Sequence, residues 1–224
     1  MKIRLIILLF CVPLAAFAVP DFTRYAFTLE IKQGNETSRS GTGCLVKSGN
    51  AIYYVTAHHI FSDMTDKQRA ALVKIISIVS EANKQTRFYP EAFIPVAQAA
   101  DLTKSDLMVF RMKPTPSLAA YTVALAAEPP AKGEIAYLAA RVPGRSAATY
   151  PLRVLLADNE QAEYEKIPGV VKYTGASGGP IFNAKGQLVG TYLGRSLVKA
   201  DQPDIRCLFG TPLVSIKSTL AQVK

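Results

Sequence analysis

The sequence predicts an all-β protein built in two halves and ended by one helix. Three observations carry this reading. Short apolar, β-branched runs bounded by turn residues recur along most of the 224 residues, the pattern of sandwiches and barrels. A proline- and alanine-rich stretch at 113–132, KPTPSLAAYTVALAAEPPAK, interrupts that pattern near the middle. Helical spacing governs the end of the chain, where Ile216, Leu220 and Val223 fall on one face. Nearly half of the residues (49%) are apolar, so each half can bury a core of its own.

The first 18 residues stand apart. Lys2 and Arg4 give a positive start, residues 5–17 carry no charge, and Ala16-Phe17-Ala18 offers small residues where a signal peptidase reads. The apolar run of 13 residues is short of the ~20 that a membrane span needs. We therefore expect a signal peptide over 1–18, a mature chain from Val19, and export to the periplasm or beyond. Cys11 follows Phe10, whereas a lipoprotein cysteine follows a small residue. No later segment is long and apolar enough to span a membrane.

The elements follow in order. RYAFTLEIK (24–32) alternates as a strand does, and Gly34-Asn35 turns the chain. Residues 43–48 and 51–56, with Ser48-Gly49-Asn50 between them, read as a hairpin or as two neighbouring strands. Thr65-Asp66-Lys67-Gln68 has the form of a capping box, which predicts a short helix to about Leu72. Residues 73–79, 93–99 and 107–112 read as further strands. In the second half, 134–142, 150–157 and 169–174 are strand-like, and 180–194 reads as a hairpin turning at 183–186. The boundaries that follow are an N-terminal unit at 19–115, a linker at 116–132 and a C-terminal unit with the helix at 133–224.

Charge and cysteines exclude more than they assign. The net charge of +9 suits an acidic partner, but the basic residues are scattered without aromatic interleaving. A soluble basic surface fits better, and nucleic-acid binding is not expected. Cys44 and Cys207 remain after the leader. Their spacing matches neither a metal site nor a redox pair, and spacing alone cannot show that they meet. Two buried free thiols are the preferred reading. No metal and no organic cofactor is expected.

Three short stretches carry chemistry. VTAHH (55–59) holds both histidines of the chain, SDLMVF (105–110) puts Asp106 ahead of an apolar strand, and TGASGGP (174–180) sets Ser177 among glycines. A serine hydroxyl is a poor nucleophile near neutral pH and needs a base, which histidine supplies. A carboxylate then fixes the imidazole tautomer and stabilises the imidazolium. The glycines suit a tight turn whose N–H groups meet a developing oxyanion, and those of Gly175 and Ser177 are placed to converge. Each stretch alone is common; three together are not.

In the order His, Asp, Ser, these stretches resemble the chymotrypsin-like (trypsin-like) serine endopeptidases, in the form of a bacterial stand-alone member. That family has T-A-A-H after a strand, an aspartate opening a D-[IL]-A-L-L-like strand, and G-[DN]-S-G-G-P. GTGCLV (41–46) is similar to its G-[ST]-G-F-[LIV]-[IV] strand, so the resemblance runs from about Gly41 to the last helix. It implies two antiparallel six-stranded barrels with a C-terminal helix, joined where 116–132 lies. It also implies a secreted endopeptidase acting on polypeptides, with His59 as base, Asp106 orienting it and Ser177 as nucleophile. Gly175 and Ser177 would form the oxyanion hole. His58 takes the place of the small residue before the base and is expected to be merely packed or solvated. Asp101, in the loop before Asp106, is the weaker candidate for the carboxylate.

The departures matter too. Ala176 stands where zymogen-type members carry aspartate, and no I-V-G-G-like start follows the leader. Removal of the leader alone is therefore expected to give the competent form. The position six before the serine, at the bottom of the substrate pocket in the family, falls on Val171, with Tyr192 also near. An apolar floor implies small or apolar residues before the cleaved bond. The rival readings are a binding protein that keeps the fold without turnover, and an esterase using the same triad.

Overall fold

The computed structural model describes residues 18–96, 106–142, 144–166, 173, 175–199 and 202–223; for 166, 195–199 and 202–207 it describes the backbone alone. β1 (Phe27–Gln33) and β2 (Glu36–Ser48) pair antiparallel about the turn at Gly34-Asn35. A second turn leads into β3 (Ala51–Thr56). A 3-10 turn over His58–Phe61 and the helix α1 (Asp66–Leu72) follow. The capping box closes in both directions: the Gln68 N–H donates to the Thr65 hydroxyl, and the Thr65 N–H donates to Gln68 Oε1 at 2.8 Å.

β4 (Ile76–Ser80), β5 (Arg87–Phe88), β6 (Pro90–Ile94) and β7 (Met108–Met112) complete the first sheet. Its spatial order is β5-β4-β1-β2-β3-β7-β6, with the short β8 (Thr122–Val123) parallel to β2. This sheet is open, and it corrects the expectation of two closed six-stranded barrels. The reason lies at its edges. Only Tyr89 separates β5 from β6, and an antiparallel pair needs a turn of at least about two residues between its strands. Pro90 also brings no N–H to a ladder. The two edges therefore cannot close on each other.

The second half does close. β9 (Ile135–Ala140), β10 (Ala148–Ala157), β11 (Ala162–Lys166), β12 (Pro180–Phe182), β13 (Leu188–Lys199) and β14 (Gln202–Pro212) form a barrel in the order β10-β11-β14-β13-β12-β9. Leu138, Leu152, Val154, Tyr164 and Ile181 fill it. The hairpin turn at 183–186 forms as expected, with Asn183 Oδ1 accepting from the Lys185 and Gln187 N–H groups at 3.0 Å each.

α2 (Leu213–Gln222) leaves β14 at Pro212 and lies across both halves. Its Ile216 and Leu220 pack with Cys44, Val46 and Val55 of the open sheet and with Phe182 and Leu188 of the barrel. Tyr53 donates to the Val223 carbonyl at 2.6 Å and Ser48 to that of Leu220 at 3.2 Å, which satisfies carbonyls the helix end leaves open. The 116–132 stretch is likewise woven into both halves. β8 lies on β2, and Leu125 bridges to Leu188. Cys44 is a free thiol, wholly buried, and burial pushes its pKa up.

Some expectations fall on residues outside those described: the leader apart from Ala18, the end of the 93–99 strand, nearly all of the 169–174 strand, and the side chain of Cys207. Among the described residues no helix is long and apolar enough to cross a membrane.

Candidate active site

The strand register brings the first two groups together. β3 pairs with β7 so that Thr56 faces Met108, and the residues just beyond each strand end, 57–59 and 106–107, therefore meet. Ala57 continues the extended backbone before the 3-10 turn opens at His58. His59 Nδ1 lies 2.5 Å from Asp106 Oδ2, and its backbone N–H donates to Oδ1 at 2.8 Å. The His58 N–H donates to the Asp106 carbonyl at 3.3 Å. The Asp106 side chain is only 2% exposed. A carboxylate buried to that degree needs partners, and His59 supplies two. An ionised carboxylate only accepts, so Nδ1 carries a proton, and in the neutral ring Nε2 is then the nitrogen with the lone pair. The His59 ring is 32% exposed.

The neighbouring imidazoles diverge. His58 lines a separate cavity of about 220 Å³ with Asp66, Arg69, Phe93, Ile94, Val96 and Leu107. Its Nδ1 is buried and, among the described residues, has no hydrogen-bond partner. Burial, then the nearby Arg69 charge, lowers its pKa below the usual imidazole value. Asp101 lies outside the described residues.

Ser177 is held from the barrel side by a glycine turn locked against the open sheet. The Thr42 N–H donates to the Ser177 carbonyl at 2.7 Å, and the Thr42 hydroxyl lies 3.4 Å from the Gly175 carbonyl. The Thr56 hydroxyl donates to the Thr42 carbonyl at 2.6 Å. Gly178 (φ +80) sits so close that a Cβ there would lie 2.2 Å from the Thr42 carbonyl oxygen and 2.6 Å from the Ala57 nitrogen. Only glycine permits that approach. The Gly178 N–H donates to Tyr192 O at 2.7 Å, which ties the turn to β13.

Gly194 was not singled out from the sequence. A Cβ there would meet Ser177 Oγ at 2.6 Å and His59 Nε2 at 3.9 Å. The hydroxyl and the free imidazole nitrogen therefore border the same small space, which the missing side chain of Gly194 leaves open. The signal was present as the glycine of TYLG (191–194) after the hairpin, but only contact across the barrel gives it meaning. Thr42 was likewise visible only as part of a strand.

The remaining candidates are placed unevenly. The Gly175 carbonyl turns toward Thr42, and no hydrogen bond of the described residues takes the N–H of Gly175 or Ser177. Ala176 is fully buried in the barrel core. Tyr192 is 2% exposed and packs edge-on against Tyr173, their ring centres 5.8 Å apart. Burial pushes its hydroxyl pKa up to about 12. Val171 lies outside the described residues.

Comparison with known proteins agrees with this architecture. Three solved structures superpose on the chain at 16% identity: the Rv3671c protease in its inactive form (TM-score 0.58, 90% of this chain and 89% of that one), a serine-to-alanine mutant of the M. tuberculosis protein in the inactive form (0.56, 90% and 88%), and the active form (0.61, 90% and 81%). At that identity the likeness is one of fold. No protein of curated function matches the sequence. The profile of the family described as "Trypsin-like peptidase domain" matches residues 41–190, which include His59, Asp106 and Ser177. That match takes in more than half of the sequence, and with it the chain belongs to the trypsin-like peptidase domain family.

Proposed function

We propose that this chain is a serine endopeptidase that cleaves peptide bonds through an acyl-enzyme on Ser177. The observation that carries the reading is the geometry around Gly194: an oriented imidazole, bonded at Nδ1 to buried Asp106, borders the same opening as the serine hydroxyl. In the first step Ser177 Oγ attacks the substrate carbonyl carbon while its proton passes to His59 Nε2. The imidazolium is stabilised by Asp106, which stays ionised. The carbon–nitrogen bond then breaks, and Nε2 returns the proton to the leaving amine. Water repeats the sequence on the ester and frees the acid. The N–H groups of Gly175 and Ser177, which no hydrogen bond of the described residues takes, would receive the oxyanion.

Two finer assignments belong to the proposal. Residues before the cleaved bond are small or apolar, supported by the lack of any acidic residue in 167–182 and 188–194. The chain is exported and becomes competent on loss of its leader. Buried Ala176 supports this, since the barrel core there holds a methyl group and no carboxylate awaits a newly freed amine. A fluorophosphonate probe tests the mechanism. Protein starting at Val19 should label at one serine, and Ser177→Ala and His59→Ala should not label. Labelling that survives either change, or that needs a further cut of the chain, refutes the corresponding part.

A further inference from the structure

A second pocket opens beside the nucleophile turn. It has a volume of about 200 Å³ and is lined by Thr28, Arg39, Ser40, Gly41, Arg141 and Gly175. β1 and β2 of the open sheet supply one wall, and the loop after β9 supplies the other. Gly175 is two residues from Ser177, and Gly41 precedes Thr42, whose N–H holds the Ser177 carbonyl. A polypeptide with its carbonyl carbon at Ser177 therefore has a flank within reach of this pocket.

The charges of the walls do not balance. Arg39 Nε pairs with Glu30 Oε2 at 3.1 Å, but Glu30 is also taken by Arg87. One carboxylate thus serves two guanidiniums, and together they hold its pKa below the usual glutamate value, Arg87 most strongly. The other acid close by, Glu81, accepts from Thr28 and pairs with Lys84. Arg141 has no ion-pair or hydrogen-bond partner among the described residues. A half-buried guanidinium with no carboxylate beside it is open to one that a ligand brings. The pocket has room for one short side chain, and the planar fork of arginine fits a carboxylate better than any other anion that a polypeptide carries.

We propose that Arg141, with Arg39 on the other wall of the pocket, binds a carboxylate of the substrate next to the cleaved bond. The protein then favours sequences with Asp or Glu at one fixed position, or cuts where a chain's own C-terminal carboxylate reaches the pocket. The proposal rests on the peptidase reading. A paired and partly exposed guanidinium gives about a tenfold preference, and salt weakens it.

The test is a peptide set with a constant cleaved bond, in which Asp or Asn, and Glu or Gln, occupy each flanking position in turn. A second arm compares free C-terminal carboxylates with amides. The expected result is an acid-to-amide ratio in kcat/KM of about ten at one position, falling to about one in Arg141→Ala and below one in Arg141→Glu. Arg153→Ala, which removes an exposed guanidinium that does not line the pocket, keeps the ratio. Binding of the same peptides to Ser177→Ala protein gives a readout that needs no turnover. A ratio near one at every position overturns the proposal, and so does equal or undetectable binding. Failure of probe labelling would instead strike the peptidase reading, while the binding arm still judges the pocket.

Discussion

Replacing Gly194 by alanine separates the chemistry from the fold. The new methyl would lie 2.6 Å from Ser177 Oγ, 3.8 Å from Ser177 Cβ and 3.9 Å from His59 Nε2. Ordinary contact requires the hydroxyl to retreat by the better part of an ångström, or to rotate away from the imidazole. Misplacement of a reacting atom on that scale lowers turnover by about 10²-fold. The fold loses much less. The residue has φ +88, and an L-residue in that region is strained by about 1–2 kcal/mol. Gly34→Ala is the control: φ is +60 and a Cβ there meets nothing within 4 Å. Both variants should lose a similar few degrees in thermal unfolding, about 2–4 °C per kcal/mol for a chain of this size. Only Gly194→Ala should lose kcat/KM and the rate of fluorophosphonate labelling. If it labels as fast as the parent, the hydroxyl and the imidazole do not share that space, and the assignment fails.

Gly178→Ala is the opposite case, because its methyl would press on the Thr42 carbonyl and the Ala57 nitrogen, backbone that cannot swing aside. It should destabilise beyond Gly34→Ala by about 2–3 kcal/mol in denaturant unfolding; equal losses would show that the halves do not interlock there. Asp106→Asn should lower kcat by about 10⁴-fold, since the ring would be held in the wrong tautomer, and a loss within tenfold in steady-state assays would reject the orienting role. His58 gives a pH effect. Its folded pKa lies below the ordinary imidazole value of about 6.5, so between the two values the unfolded chain binds more protons. Stability therefore rises with pH through that window and levels off above about 6.5. His58→Gln should flatten this part of the unfolding curve, and an unchanged slope would mean that the ring is not shielded as the cavity suggests.

Where residues interact with near neighbours in sequence, the chain was legible. The capping box at Thr65 and Gln68, the hairpin at Asn183 and the apolar stripe of α2 all follow from spacing within a few residues. The Asp106 position was also legible, because an apolar strand so plainly follows it. The open first sheet was not. A one-residue step at Tyr89 reads as ordinary loop until the neighbours of β5 and β6 are known. β11 (AEYEK) hides for another reason: with two glutamates and a lysine in five residues, its sequence looks solvated, yet Tyr164 at its centre is wholly buried. Gly194 and Thr42 stayed silent because their roles exist only across the junction of the halves.

That junction explains how an open sheet can carry half of an exacting site. Thr42 is on β2 at the centre of the spatial order, His59 follows the adjacent β3 and Asp106 precedes β7, while the free edges β5 and β6 each lie three places from β2. Positional accuracy is needed where Thr42 grips the carbonyl of Ser177 and Gly178 fits under Thr42 and Ala57. These contacts join the centre of the sheet directly to a closed barrel, whose ladder has no edge to fray. α2 reinforces the same seam from outside by packing on β2, β3, β12 and β13 at once. Closure of the first sheet would act first on β5 and β6, neither of which carries Thr42, His59 or Asp106. The geometry at Ser177 therefore depends on the seam more than on the unpaired edges of β5 and β6.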